Sequence, residues 1–346
     1  ATFTAGTELR LPFTSQAAGA YLTASGGQAT WRGRRSETEL SLSFSVSAGV
    51  GDDYSLPGVL LAVSETAPAP QLIDWNGDRR LDLLAQSAKQ LHVWIQGPEG
   101  FADSERRDYP LPVAADRDRR LDASYSSHAV ELSGDARADC VIFAGDSQKG
   151  EVRTQALVFL QGAGKGDTAQ TAAAPLFGPR GRPQDLLVLA GFVVRPDFAD
   201  VDGDGRADLV VSGVRPDLID QLRSISSESI DADLFVYRNQ GAGFSRRPDL
   251  AFKLNVPIEQ FEPMARFIGD VTGDGTSELL LRDAPQSLRL LMVRRGRDAA
   301  LEVVERPLWQ LAVRDDASIL HQTAPGHALP DLLVLERSQV QHVRFR

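Results

Sequence analysis

A single cysteine in 346 residues excludes any disulfide within the chain. Cys140 stands in the run DCVIF, where a small buried hydrophobe is expected rather than a nucleophile. No run of eighteen apolar residues occurs, so no membrane-spanning helix is expected. Helical periodicity is scarce, its best candidate being PDLIDQLRSI at 216 to 225. Catalytic signatures are missing too: there is no Gly-x-Ser-x-Gly elbow, no His-Glu-x-x-His and no phosphate-cradling loop. The five histidines (His92, His128, His321, His327, His342) lack ligand spacing. Only His321, His327 and His342 share a segment, and there surface or strand packing is the expected use. With a net charge of −10 and no basic face, nucleic acid is excluded as a partner. The short run Arg294, Arg295 and Arg297 reads as a solvated strand end.

What the chain does have is one nine-residue phrase, repeated. DWNGDRRLD at 74 to 82, DVDGDGRAD at 200 to 208 and DVTGDGTSE at 270 to 278 place oxygen-bearing side chains at loop positions 1, 3, 5 and 9. Position 4 is glycine in all three and position 6 in two of them, which permits a sharp turn. A weaker copy, ELSGDARAD, runs from 131 to 139. Four or five oxygens at these offsets suit a large, flexibly coordinated cation; magnesium keeps its waters, and transition metals want imidazole or thiolate. Calcium is therefore the expected ion.

The expected ligands of the first loop are Asp74, Asn76, Asp78 and Asp82 with the Arg80 carbonyl. Those of the second are Asp200, Asp202, Asp204 and Asp208 with the Arg206 carbonyl. The third offers Asp270, Thr272, Asp274 and Glu278 with the Thr276 carbonyl. Glu131, Ser133, Asp135 and Asp139 form the weak fourth set, in which Ala136 replaces a turn glycine. An EF-hand needs a bidentate glutamate at position 12, and here that position holds Ala85, Val211 and Leu281. The last acid is followed at once by an apolar run (DLL, DLVV, ELLL), so these loops join strands rather than helices. The three strong loops hold ten acidic side chains, and three divalent cations would bring the net charge to about −4.

The flanks repeat as well. After each loop and its strand comes a second apolar segment: LHVWIQGPEGF at 91, LVFLQGAG at 157, LFVYRNQGAGF at 234 and LRLLMVRRG at 288. First loop positions fall at 74, 131, 200 and 270, giving intervals of 57, 69 and 70 residues. Such periods fit a radial array of four-stranded antiparallel sheets. Loops and flanks together resemble the FG-GAP or VCBS repeats of integrin-α-type β-propellers, across roughly residues 70 to 295. That resemblance implies calcium in the turn joining the first two strands of each blade. A degenerate last repeat, 317 to 346, keeps its strands and has lost its ligands, while residues 1 to 70 show β-like alternation without a metal loop.

The fold expected is all-β: one β-propeller domain over residues 1 to 346, with six blades favoured and seven as the alternative. Pro-rich pieces at 66 to 70 and 178 to 183 fall at blade junctions. The function expected is that of a calcium-binding protein-binding or scaffolding module rather than an enzyme. The alternatives are a carbohydrate-binding, lectin-like propeller and, third, a polysaccharide lyase or hydrolase on the same blades. Trp31, flanked by Thr30 and Arg32, is the first candidate for a glycan platform, whereas Trp75, Trp94 and Trp309 are expected to pack between blades. Low-affinity calcium loops fill where calcium is abundant, which places the protein in the periplasm or outside the cell. An alanine at position 1 followed directly by β-type sequence fits a trimmed mature product. About twenty residues separate the apolar run ending near Ser212 from Leu234, long enough to expect function. Arg215, Asp217, Asp220 and Arg223 on that insertion are candidates for partner recognition, at the end of the sheet away from the calcium loops.

Overall fold

The computed structural model describes residues 9–12, 21–25, 28–32, 37–41, 45–51, 60–66, 71–86, 90–98, 100–111, 125–148, 151–161, 182–190, 192–214, 229–257, 264–284, 286–296, 300–314, 317–322, 331–337 and 339–345. These residues are all-β, in repeated antiparallel meanders of the β-propeller type. Strands β1 (Leu9–Pro12), β2 (Tyr21–Ser25), β3 (Gln28–Arg32) and β4 (Glu37–Ser41) form the first four-stranded sheet, and β5 (Ser45–Gly51) pairs with β6 (Leu60–Thr66). The second sheet is β7 (Gln71–Ile73), β8 (Asp82–Gln86), β9 (Gln90–Trp94) and β10 (Arg106–Pro110). The third is β11 (Tyr125–Val130), β12 (Asp139–Gln148), β13 (Glu151–Phe159) and β14 (Asp185–Ala190). The fourth is β15 (Phe192–Ala199), β16 (Asp208–Val214), β17 (Ser229–Tyr237) and β18 (Leu250–Pro257). The fifth is β19 (Met264–Phe267), β20 (Leu279–Ala284), β21 (Ser287–Arg295) and β22 (Leu301–Ala312). A three-stranded sheet follows, of β23 (Ser318–Gln322), β24 (Asp331–Leu335) and β25 (Val340–Arg344).

Complete four-stranded blades thus number five among the described residues, which corrects the expectation of six or seven. Among the described residues, the stretch from one acidic loop to the next holds the last three strands of one four-stranded sheet and the first strand of the next. The segment before residue 70 supplies one full sheet and a hairpin, and the degenerate last repeat contributes three strands. The chain divides into two compact units, residues 1–144 with 158–183 and residues 145–157 with 184–346.

The strand that follows each acidic loop opens on a buried apolar run, covered on both faces. In β8, Asp82, Leu83, Leu84 and Ala85 are all buried, whereas β10 and β25, at sheet edges, alternate exposed and half-buried residues. In the second unit one apolar cluster joins the fourth and fifth sheets through Val210, Leu234, Leu254, Leu279, Leu281 and Leu291. Another joins the fifth sheet to the last through Leu280, Leu288, Leu290, Leu332 and Val334. Each such side chain contributes on the order of 1.5–3 kcal/mol by leaving water. In the first unit two glutamines clasp β11. The Gln71 amide donates to the Ser127 carbonyl and accepts the Ala129 N–H, both at 2.9 Å, while Gln86 Oε1 accepts the Ser127 N–H at 2.6 Å.

Candidate metal centre

In an antiparallel meander the first and third turns lie at the same end of the sheet. All four acidic loops are first turns, between β7 and β8, β11 and β12, β15 and β16, and β19 and β20. The residues just after the third strand are therefore their neighbours, and this geometry gives the position-9 acid two tasks.

Position 1 shapes the loop. Asp74 Oδ1 accepts the N–H groups of Gly77 at 2.7 Å and Asp78 at 3.0 Å, and its Oδ2 that of Arg79 at 2.6 Å. Asp200 accepts from Asp204 and Gly205 at 3.1 and 2.9 Å. Asp270 does the same for Gly273, Asp274 and Gly275 at 2.6, 3.1 and 2.8 Å. In the weak copy Glu131 accepts from Gly134. These bonds curl the chain until position 6 must be left-handed, at φ +85° in Gly205 and Gly275, +69° in Arg79 and +66° in Ala136. A side chain there costs about 1–2 kcal/mol.

Position 9 fastens the loop to its sheet, and all four of these acids are fully buried. One oxygen caps the position-2 amide: Trp75 on Asp82 at 2.9 Å, Leu132 on Asp139 and Val201 on Asp208 at 3.0 Å, Val271 on Glu278 at 2.6 Å. The other oxygen of each aspartate accepts the amide that follows the third strand: Gln96 at 2.7 Å, Gln161 at 2.7 Å, Asn239 at 2.8 Å. Glu278, one methylene longer, accepts instead from Thr272 Oγ1 at 2.8 Å. The sequence pattern marks position 9 as a ligand; its second role as an anchor was missed, because its partners lie 14 to 31 residues further on.

Burial raises Asp82 and Asp208 from the ordinary carboxyl value of 3.8 to about 6, and the neighbouring loop carboxylates add to the rise while the backbone N–H bonds oppose it. Asp139 and Glu278 are raised by burial in the same way. A proton or a cation would relieve this concentration of negative charge.

The loops part company at the remaining ligands. Carboxylate oxygens of Asp200, Asp202 and Asp208 lie within 4.8 Å of one another, as do those of Asp270, Asp274 and Glu278. Among the described residues these are the groups of three acids that converge, and they contain neither imidazole nor thiolate. An all-oxygen set of this kind fits a hard cation such as calcium. The 74–82 and 131–139 loops form no such group. Asp78 is drawn to Arg80 at 2.6 Å, and this ion pair, with a hydrogen bond from Asn76, outweighs burial and lowers its pKa. Asp204 and Asp274 orient the position-7 amides of Arg206 and Thr276, each at 2.9 Å. At the rim of the 200–208 loop, Arg238 is held by Asp249 at 2.7 Å and reaches Asp202 at 3.4 Å.

Several other sequence candidates can be placed. Cys140 is buried, and burial pushes its thiol up to about 12. Trp75 and Trp94 are core residues, 1% and 0% exposed, and Trp309 meets Phe345 edge-on at 6.5 Å. His342 pairs with Asp331 at 3.0 Å. Arg294 and Arg295 are exposed at the end of β21, as expected; Arg294 faces Glu302 at 3.3 Å, and Arg295 also donates to the Asp202 carbonyl. His327, the side chains of His321 and Trp31, Arg297, and the insertion bearing Arg215, Asp217, Asp220 and Arg223 lie outside the described residues. Among those residues no helix is long and apolar enough to cross a membrane.

No protein-family model matches the chain, and no curated protein sequence does. Among solved structures the chain is similar to part of a mutant Photorhabdus luminescens Tc holotoxin pore, at 15% identity and a TM-score of 0.40. That alignment takes in 97% of this chain and spans 13% of the other.

Proposed function

We propose that this protein is an exported calcium-binding β-propeller that serves as a protein-binding or scaffolding module. The 200–208 and 270–278 loops hold the cations, and the 74–82 loop is a weaker third site. The observation that carries this reading is the approach of three carboxylates to within 4.8 Å in each of the 200–208 and 270–278 loops. Such groups repel one another unless a cation lies between them. Asp200, Asp202 and Asp208 would hold one ion, with Asp204 and the Arg206 carbonyl as further donors. Asp270, Asp274 and Glu278 would hold the other, joined by Thr272 and the Thr276 carbonyl. The role of the metal is structural: it neutralises the loop charge and fixes one end of each sheet, opposite the end where the 215–223 insertion is expected to meet a partner. Export follows from the need for abundant calcium. The test is metal analysis after dialysis against calcium, with melting measured in calcium and in chelator. Two retained ions per chain and a melting temperature lowered by chelator are expected. A metal-free protein whose melting ignores chelator would reduce the loops to plain turns.

A further inference from the structure

The two loops with converging carboxylates, 200–208 and 270–278, touch one another within the second unit, at backbone atoms between their ligands. The Ser277 N–H donates to the Val201 carbonyl at 2.9 Å. Gly203 lies directly against the Gly275 carbonyl, so that a Cβ on Gly203 would come within 2.1 Å of its oxygen. Arg295, the last residue of β21, donates to the Asp202 carbonyl. Positions 2, 3 and 4 of one loop are therefore held by positions 6 and 8 of the next and by the end of its third strand. The Thr276 carbonyl, a proposed ligand, sits between the two gripping residues Gly275 and Ser277. In the other loop the gripped residues include Asp202 itself and separate the ligands Asp200 and Asp204.

We propose that the two loops are a coupled pair: a cation ordering either one pre-orders the other, so that calcium binds them with positive cooperativity. The inference rests on the calcium reading above and adds to it a specific pairing of sites. The physical reason is shared entropy. Closing the 270–278 loop around an ion fixes the Gly275 and Ser277 backbone, and through it the chain from Val201 to Gly203. The second ion then meets a loop that has already lost part of its freedom. By linkage the effect is reciprocal, each ion raising the affinity for the other by the same factor.

The test is hydrogen exchange followed peptide by peptide in the full chain, titrated with calcium alone. In wild type, amides of residues 200 to 214 and 270 to 284 are expected to become protected together. Asp274→Ala should raise the calcium concentration that half-protects residues 200 to 214 by about fivefold or more, the lower end of typical couplings. Asp204→Ala should raise the midpoint of residues 270 to 284 by the same factor. If either alanine variant fails to fold, Asp274→Asn and Asp204→Asn carry the same comparison. Unchanged midpoints, or a shift in one direction only, overturn the coupling and leave two independent calcium sites. No protection by calcium in the wild type overturns both the coupling and the calcium reading.

Discussion

The four acidic loops fall into two pairs, one in each compact unit, and the pairs differ in what their carboxylates do. In all four a buried acid at position 9 caps the position-2 amide, and in the three loops that end in aspartate it also ties the loop to the residue after the third strand. Only in the second unit do further acids gather around it. There position 6 is glycine, and the positive φ of the turn is adopted without steric cost. In the first unit Arg79 and Ala136 accept the strained conformation, and Arg80 draws Asp78 aside. Anchoring and ion binding are thus separable, and the anchor persists where the ion site is poor.

The sharpest way to separate them is to remove the anchor from each pair. Asp82→Ala and Asp208→Ala each strand two backbone N–H groups at a buried site, and each is expected to cost about 2–5 kcal/mol in chelator, since an unsatisfied buried donor costs about 1–3 kcal/mol. Denaturant titration should find both variants similarly destabilised, while only Asp208→Ala also loses a calcium ion. Equal calcium loss would break the division between the units.

Calcium itself should act next most strongly. Free calcium at one hundred times the dissociation constant is expected to raise apparent stability by about 2.7 kcal/mol per site. Asp204→Ala should remove one site's share of that rise in a melting experiment, whereas Asp135→Ala should leave it unchanged. The reverse result would exchange the roles of the two pairs.

Turn strain comes third. Gly205→Ala meets no atom within 4 Å of the new Cβ, so its expected cost of about 1 kcal/mol is purely conformational. Stability curves for this variant and for Arg79→Gly should move in opposite directions. A neutral Gly205→Ala would show that position 6 does not distinguish the pairs.

A last effect concerns pH. Asp82 and Asp208 hold a proton more tightly in the fold, at about 6, than in the open chain, near 3.8. Their contribution is therefore fully present below about 3.8 and is lost as pH rises through about 6. In chelator the melting temperature of wild type, measured relative to an Asp82→Asn/Asp208→Asn double variant, should fall as pH rises from 3.8 to about 6 and level off above that. Parallel profiles would mean that these carboxyls do not titrate as a consequence of folding. In saturating calcium the Asp208 part should change sign, because a proton there displaces the ion.

The all-β repeat, the position of each loop before an apolar strand, and the glycine or non-glycine at position 6 can all be read from the chain. These are local properties, set by period-two alternation and by the reach of side chains within nine residues. Blade number was less legible, because short apolar runs before residue 70 and after residue 317 do not announce how many neighbours they pair with. That Asp208 binds the Asn239 amide 31 residues on, that Arg238 stands beside Asp202, and that Ser277 grips the loop of the preceding sheet emerge only once the sheets have folded and packed. Those contacts depend on which turns share one end of a meander and on how sheets stack, and no spacing within a single loop encodes either.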